Sequence, residues 1–479
     1  MNYSMLGYII RYIVFVEGIL FSLPLGVSVI YHEKSGFAFL FCLVLCMLLS
    51  FPFTLKKPQN TVFYAKEGFV AVALSWIALS LIGSLPFIIT GYIPNPVDAL
   101  FETVSGFTTT GASILRDVEV LPKCLLFWRS FTHWIGGMGV LVFILTILPM
   151  SGGSHMTLMK AESPGPSVDK LAPKVKTTAK ILYKMYIIIT LIQIVLLIIG
   201  KMPVFDAVTI SFGTVGTGGF GIRNDSIAGY NSFCQIVITV FMIVCGVNFG
   251  AYHLLFTGKY KRAFKNSEVI TYFLIIAAAI GVIVFNIAPS YDNFGTALRD
   301  SAFQVGSIIT TTGYATTDFN LWPTLSKTII VMLMFVGACA GSTGGGIKVS
   351  RFIILFKAIG KELFSIVHPK SVKKVTMDGK IIEHEVVRAT NVYMSAYVMI
   401  FALSTLAICV DGRDLVTNFT AVAATFNNIG PGLAGVGPTS NFADFSIFSK
   451  LVLIFDMLAG RLEIFPMLML FYHRAWKKF

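Results

Sequence analysis

Thr311-Thr312-Gly313-Tyr314-Ala315 is a polar, glycine-centred pentapeptide set between two apolar segments. About a dozen amphipathic residues precede it, too few to cross a bilayer, where a helix needs about 20. Three more stretches share this setting: Thr109-Thr110-Gly111-Ala112-Ser113, Gly216-Thr217-Gly218-Gly219-Phe220 and Asn428-Ile429-Gly430-Pro431-Gly432. Aligned on Gly111, Gly218, Gly313 and Gly430, the loops recur at separations of 107, 95 and 117 residues. Asp98, Asp206 and Asp300 lie twelve or thirteen residues before the first three glycines, and Phe101 and Phe303 lie ten before theirs. The fourth loop departs, with Asp414 sixteen residues before Gly430. Such a recurrence is the signature of an internal repeat.

Ten apolar runs surround the loops, near 5–30, 36–55, 68–90, 124–149, 181–200, 232–256, 268–288, 324–359, 388–410 and 446–472. The loops fall between the third and fourth, fifth and sixth, seventh and eighth, and ninth and tenth. The pattern predicts four units of helix, half-helix, loop and helix in a pseudo-fourfold arrangement, each half-helix entering from the outside and returning as a loop. The expected segments are 1–58 for an N-terminal two-helix hairpin, then 59–155, 156–259, 260–372 and 373–479 for the four repeats, the third with a broken second helix. Composition agrees: of 479 residues 55% are hydrophobic and 13% charged, and mean hydropathy is +0.78. Soluble proteins carry about 25% charged residues. The expected class is an all-α polytopic membrane protein, which excludes a secreted disulfide scaffold, a disordered chain and a soluble multidomain enzyme.

The net charge of +13 is unevenly spread. Basic residues gather in alternate loops: Lys56, Lys57 and Lys66; Lys160, Lys170, Lys174, Lys176 and Lys180; Lys259, Lys261, Arg262 and Lys265; the long run from Lys357 to Arg388; and Arg474, Lys477 and Lys478. By the positive-inside rule these loops and both termini face the cytoplasm, on the inner side of a membrane that the chain crosses many times. The charge sets orientation and does not point to nucleic acid. The cysteines lie in or beside apolar runs with no metal spacing, and the first run is too long for a signal-peptide core. Val375 to Ile382 alternates around Asp378-Gly379 and reads as a small β-hairpin.

A loop at membrane depth has backbone carbonyls without partners, tolerable only where it faces protein or water. Four such loops on one axis would stack their carbonyls into rings that replace the hydration shell of a monovalent cation. Glycine lets successive carbonyls point the same way, because it reaches positive φ at little cost. The candidate ion-binding residues are Thr109, Thr110 and Gly111; Gly216, Thr217 and Gly218; Thr311, Thr312 and Gly313; and Asn428, Ile429 and Gly430. The expected coordinating carbonyls are those of Thr110, Gly111, Thr217, Gly218, Thr312, Gly313, Ile429 and Gly430. A second glycine-rich run, Gly341-Ser342-Thr343-Gly344-Gly345-Gly346, interrupts the eighth apolar run and is a candidate gate. Arg461, in the tenth run, is either a salt-bridged interior charge beside Asp456 and Glu463 or a barrier to cations. Asp98, Asp206 and Asp300 are expected to cap the half-helices, His133 to be a satisfied packing residue, and Glu17 to pair within the first hairpin. Gly216 to Gly221 matches a dinucleotide-binding pattern without the following helix, and Gly341 to Lys348 has Ile347 where a phosphate loop needs lysine. Neither supports nucleotide binding.

With these residues in view, the chain resembles the membrane subunits of bacterial Trk-type potassium transporters, in the Trk/Ktr superfamily. The resemblance rests on the four loops, on Trp134-Ile135-Gly136-Gly137-Met138-Gly139, Glu162-Ser163-Pro164-Gly165-Pro166, Ala340 to Lys348 and Gly460-Arg461-Leu462-Glu463. The third loop is also similar to the filter of potassium channels. The resemblance implies K⁺ as the transported ion with no organic cofactor. It further implies Gly111, Gly218, Gly313 and Gly430 as filter glycines, 341–346 as the gate, and Arg461 facing the pore. A homodimer and a separate cytosolic, nucleotide-binding regulatory ring are implied as well. The expected activity is potassium uptake driven by membrane potential; the alternative is an H⁺- or Na⁺-coupled potassium symporter on the same scaffold. An enzyme is not expected, because no acid–base pair or metal cluster lies at span depth.

Overall fold

Apolar sequence in lipid satisfies its backbone within helices or closed barrels, and among the described residues nearly every long run is helical. The structure, a computed structural model, describes residues 1–54, 58, 64–139, 175–371 and 374–477. Residues 140–149 of the fourth run, the Glu162 to Pro166 motif, and Lys56, Lys57, Lys160, Lys170, Lys174, Lys373 and Lys478 lie outside the described residues. So do the expected boundaries at 59, 155–156 and 372–373.

The first two runs form a hairpin of α1 (Tyr3–Leu20) and α2 (Ser22–Ile30) against α3 (Gly36–Thr54). The first unit then holds α4 (Ala65–Gly83), α5 (Leu85–Thr90), the short α6 (Pro96–Phe107) and α7 (Lys123–Gly137). The second holds α8 (Val175–Ile199), the short α9 (Val204–Gly216), α10 (Ser232–Cys245), α11 (Phe249–Phe256) and α12 (Tyr260–Phe264). The third holds α13 (Ser267–Ile287), the short α14 (Phe294–Ile309), α15 (Thr324–Val336) and α16 (Val349–Val367). The fourth holds α17 (His384–Ile408), the short α18 (Leu415–Phe426), α19 (Ile447–Arg461) and α20 (Phe465–Phe471). Between α16 and α17, β1 (Thr376–Met377) pairs antiparallel with β2 (Lys380–Ile381) around Asp378-Gly379, as the sequence predicts. Both turn residues take positive φ, 51° and 75°, which suits the tight turn of a two-residue hairpin.

The four units close on themselves. Each short helix packs against the helix that follows the loop of the preceding unit: α9 on α7, α14 on α10, α18 on α15, and α6 on α19. Phe101 and Phe303 on the short helices are fully buried. Five helices among the described residues are long and apolar enough to cross a membrane unaided. The sixth run departs from its expected single span, because α10 and α11 meet at 93°. Asn248 makes the corner by accepting from Gly250 N at 2.6 Å and restarting the helix. The tenth run is also interrupted, where Glu463 and Ile464 adopt positive φ between α19 and α20.

The expected capping aspartates are a correction. Asn95 and Asn293 cap α6 and α14, and α9 has Pro203 at its N-cap position, with no side-chain cap. Asp98 instead accepts from Lys450 Nζ at 2.6 Å, Asp206 from the Tyr230 hydroxyl at 2.8 Å, and Asp300 from the Thr316 hydroxyl at 3.4 Å. Asp206 and Asp300 tie a short helix to the segment after its own loop, and Asp98 ties α6 to α19. Only Asp414, in the divergent fourth unit, is a cap among these four, accepting from Thr417 N at 2.9 Å.

Candidate functional site: four converging loops and a broken helix

At each short helix end the backbone makes the same turn. Thr109, Thr217, Thr311 and Asn428 donate their amides three residues back, at 3.0 to 3.2 Å. The next residues, Thr110, Gly218, Thr312 and Ile429, donate five back, at 2.8 to 2.9 Å. The first set takes φ of 55°, 55°, 58° and 55°, and the third set, Gly111, Gly219, Gly313 and Gly430, takes 78°, 79°, 86° and 97°. A β-branched residue at positive φ is strained, and such strain gathers where surrounding structure enforces a functional geometry.

This turn corrects the register of the second loop. Gly219, not Gly218, is the counterpart of Gly111, Gly313 and Gly430, and Gly216 ends α9. The expected trio of Gly216, Thr217 and Gly218 becomes Thr217, Gly218 and Gly219. Asp98, Asp206 and Asp300 then each lie thirteen residues before their glycine. A polar residue two positions before glycine was the available signal, and the doubled glycine after Thr217 hid it.

The loops touch in cyclic order. A Cβ on Gly111 would clash with Gly218 O, one on Gly219 with Thr312 O, and one on Gly313 with Ile429 O. One on Gly430 would lie 2.7 Å from Thr110 O, which closes the ring. The Tyr314 hydroxyl wedges the third loop against the second unit, donating to Ile210 O at 3.2 Å. His133 is satisfied, as expected, with Nδ1 2.7 Å from Gly106 O and Nε2 accepting from Phe220 N at 3.2 Å.

Buried charge holds the loops from behind. Arg129 and Glu102 are 2.7 Å apart and at most 2% exposed. Glu102 also accepts from Ile114 N at 2.9 Å, and Arg129 donates to Gly221 O at 3.1 Å, so one pair braces two loops. The sequence did not single out this pair, whose partners lie 27 residues apart on different helices. Glu17 is a further correction: its buried carboxylate lacks a hydrogen-bond partner among the described residues.

The eighth run breaks at Gly337 and resumes at Val349. Its glycine-rich segment lies against the ring, with Gly345 N donating to Thr311 Oγ1 at 2.6 Å. A Cβ on Gly344 would lie 2.9 Å from Thr310 O. Arg461 reaches the same segment, donating to Thr343 O at 2.9 Å and to Gly136 O and Gly137 O at 2.5 and 3.2 Å. Glu463 pairs with Arg351, and Asp456 accepts from the Ser404 hydroxyl at 2.6 Å. Lys348 is 1% exposed and donates to Gly344 O.

The fold and this geometry define a polytopic membrane protein built of four units whose loops converge in a closed ring. Comparison with known proteins places it further. The chain belongs to the TrkH family of cation transport proteins, whose model matches residues 35–478. It is 36% identical over 467 residues to the Trk system potassium uptake protein TrkH of Salmonella typhimurium, covering 95% of each chain. To the Trk system potassium uptake protein TrkG of Escherichia coli it is 33% identical over 463 residues, covering 95% of this chain and 94% of the relative. The crystal structure of the potassium transporter TrkH from Vibrio parahaemolyticus matches all of both chains with a TM-score of 0.89 and 31% identity. The family resemblance holds, and the protein is a transport protein, not an enzyme.

Proposed function

We propose that this protein takes up potassium ions through the axis of the four loops. The carrying observation is the closed, in-register contact of the Thr110, Gly218, Thr312 and Ile429 carbonyls with Gly430, Gly111, Gly219 and Gly313 of the neighbouring loops. Backbone carbonyls held in such a ring can stand in for the hydration shell of K⁺. The names of the relatives favour potassium. The filter comprises Thr109–Gly111, Thr217–Gly219, Thr311–Gly313 and Asn428–Gly430, and 341–346 with Arg461 forms the gate beneath it. A monovalent cation gains about 2.3 kcal/mol per 100 mV, so an inside-negative ~150 mV sustains roughly a 300-fold accumulation.

The protein sits in the bacterial inner membrane with its basic loops and both termini in the cytoplasm. It works as a homodimer, with a separate nucleotide-binding ring as regulator. Transport by the purified protein in liposomes under an imposed potential tests the reading. Uptake of K⁺ that needs no pH or Na⁺ gradient is the expected result, and dependence on either gradient would indicate coupled symport.

A further inference from the structure

The broken helix has backbone groups that no helix satisfies, and one carboxylate holds both ends of the break. Glu268 Oε1 accepts from Ala340 N at 2.7 Å and from Ser350 N at 3.1 Å, and the side chain is buried. A continuous helix would set those two residues about 15 Å apart, out of reach of a single oxygen. The contact therefore exists only while the segment stays folded back. Glu268 stands in the first turn of α13, and the residue before it is held from below. Ser267 donates its amide and hydroxyl to Asp378 Oδ1 at 2.7 and 2.5 Å. Asp378 is the tip of the β-hairpin, whose Thr376 O accepts from Lys357 Nζ of α16 at 2.7 Å. The hairpin thus grips both the helix that carries Glu268 and the helix that resumes after the break.

We propose that Glu268 is the positioning residue that latches the 341–346 segment against the ring, and that the Asp378 hairpin sets the latch from the cytoplasm. The inference rests on reading 341–346 as the gate. The segment is the element with two arrangements, and the hairpin is the surface through which a regulatory chain biases it. Physical coupling of this kind needs a two-state element touched by both ends; the contacts join Glu268 to both flanks of the segment and the hairpin to the helix that carries Glu268.

Cation flux into liposomes is measured without the regulatory partner for Glu268→Ala, Glu268→Gln, Asp378→Ala, the Glu268→Ala/Asp378→Ala double variant and a deletion of Gly344–Gly346. In parallel, Cys339, buried beside the segment, is kept as the sole cysteine and probed with a thiol reagent. Glu268→Ala should raise flux at least about tenfold, the change expected from the loss of even one charge-assisted hydrogen bond, and should speed labelling of Cys339. Glu268→Gln should restore most of the latch, because its amide oxygen still accepts. Asp378→Ala should raise flux by about threefold, and the double variant should match Glu268→Ala alone. If the deletion raises flux while Glu268→Ala changes neither flux nor labelling, the latch is wrong. Additive effects in the double variant would sever the hairpin from it. An inert deletion would instead remove the gate reading, and Cys339 labelling would still report whether Glu268 holds the segment.

Discussion

A methyl group on Gly313 would meet the Ile429 carbonyl oxygen, and at φ 86° the backbone itself resists a side chain. Gly219 stands in the same position against Thr312 O. Gly313→Ser and Gly219→Ser should therefore each lower the K⁺/Na⁺ permeability ratio by about tenfold, since a tilt worth about 1.4 kcal/mol is enough. An unchanged ratio in Gly219→Ser would take that residue out of the ring. Charge pairs divide by burial. Arg129→Ala leaves Glu102 buried without its partner and should cost about 3–5 kcal/mol, read as a lower unfolding temperature in detergent. Arg116→Ala breaks a pair whose partners are 75% and 61% exposed and should shift stability by less than about 1 kcal/mol. Equal losses in the two variants would contradict this ranking.

At the level of elements, the proposed gate makes the broken helix and the arginine beside it one constriction. Arg461 gives hydrogen bonds to Thr343, Gly136 and Gly137, so its removal frees the segment as well as its charge. A fixed cation about 6 Å from a passing ion opposes it by about 3 kcal/mol at an effective dielectric near 20, less where water intrudes. Arg461→Ala should raise flux, and combining it with the Gly344–Gly346 deletion should add little to the larger single effect. A fall in flux at normal protein levels would make the arginine structural. The loops, the break and the β-hairpin were legible because glycine and apolar run length speak locally. The right angle at Gly246-Val247-Asn248 was not, since the run from 232 to 256 is apolar on both sides of a three-residue corner. Nor were the pairs Asp98–Lys450 and Glu268–Ala340 legible, because only closure of the four units brings such distant residues together.

For the whole molecule, the proposed cytoplasmic placement of the basic loops would also offer a surface to an acidic partner. Replacing Lys370, Lys373 and Lys374 by glutamine should weaken binding of the regulatory ring at fixed salt, and equal retention in a pull-down would leave these lysines to topology. The seam of the ring has a further consequence, for biosynthesis. Loop one meets loop four through Gly430 and Thr110, Phe442 N donates to Ser113 O at 2.8 Å, and Lys450 reaches Asp98. Some 350 residues separate Gly111 from the end of α19. At about 5–20 residues per second, a ribosome needs about 20–70 s to deliver the closing piece. With the ring as the proposed ion path, an open crescent would not dehydrate an ion during that interval, and the membrane would keep its potential while the protein is being made. A chain stopped before Ile447 should insert yet carry no current.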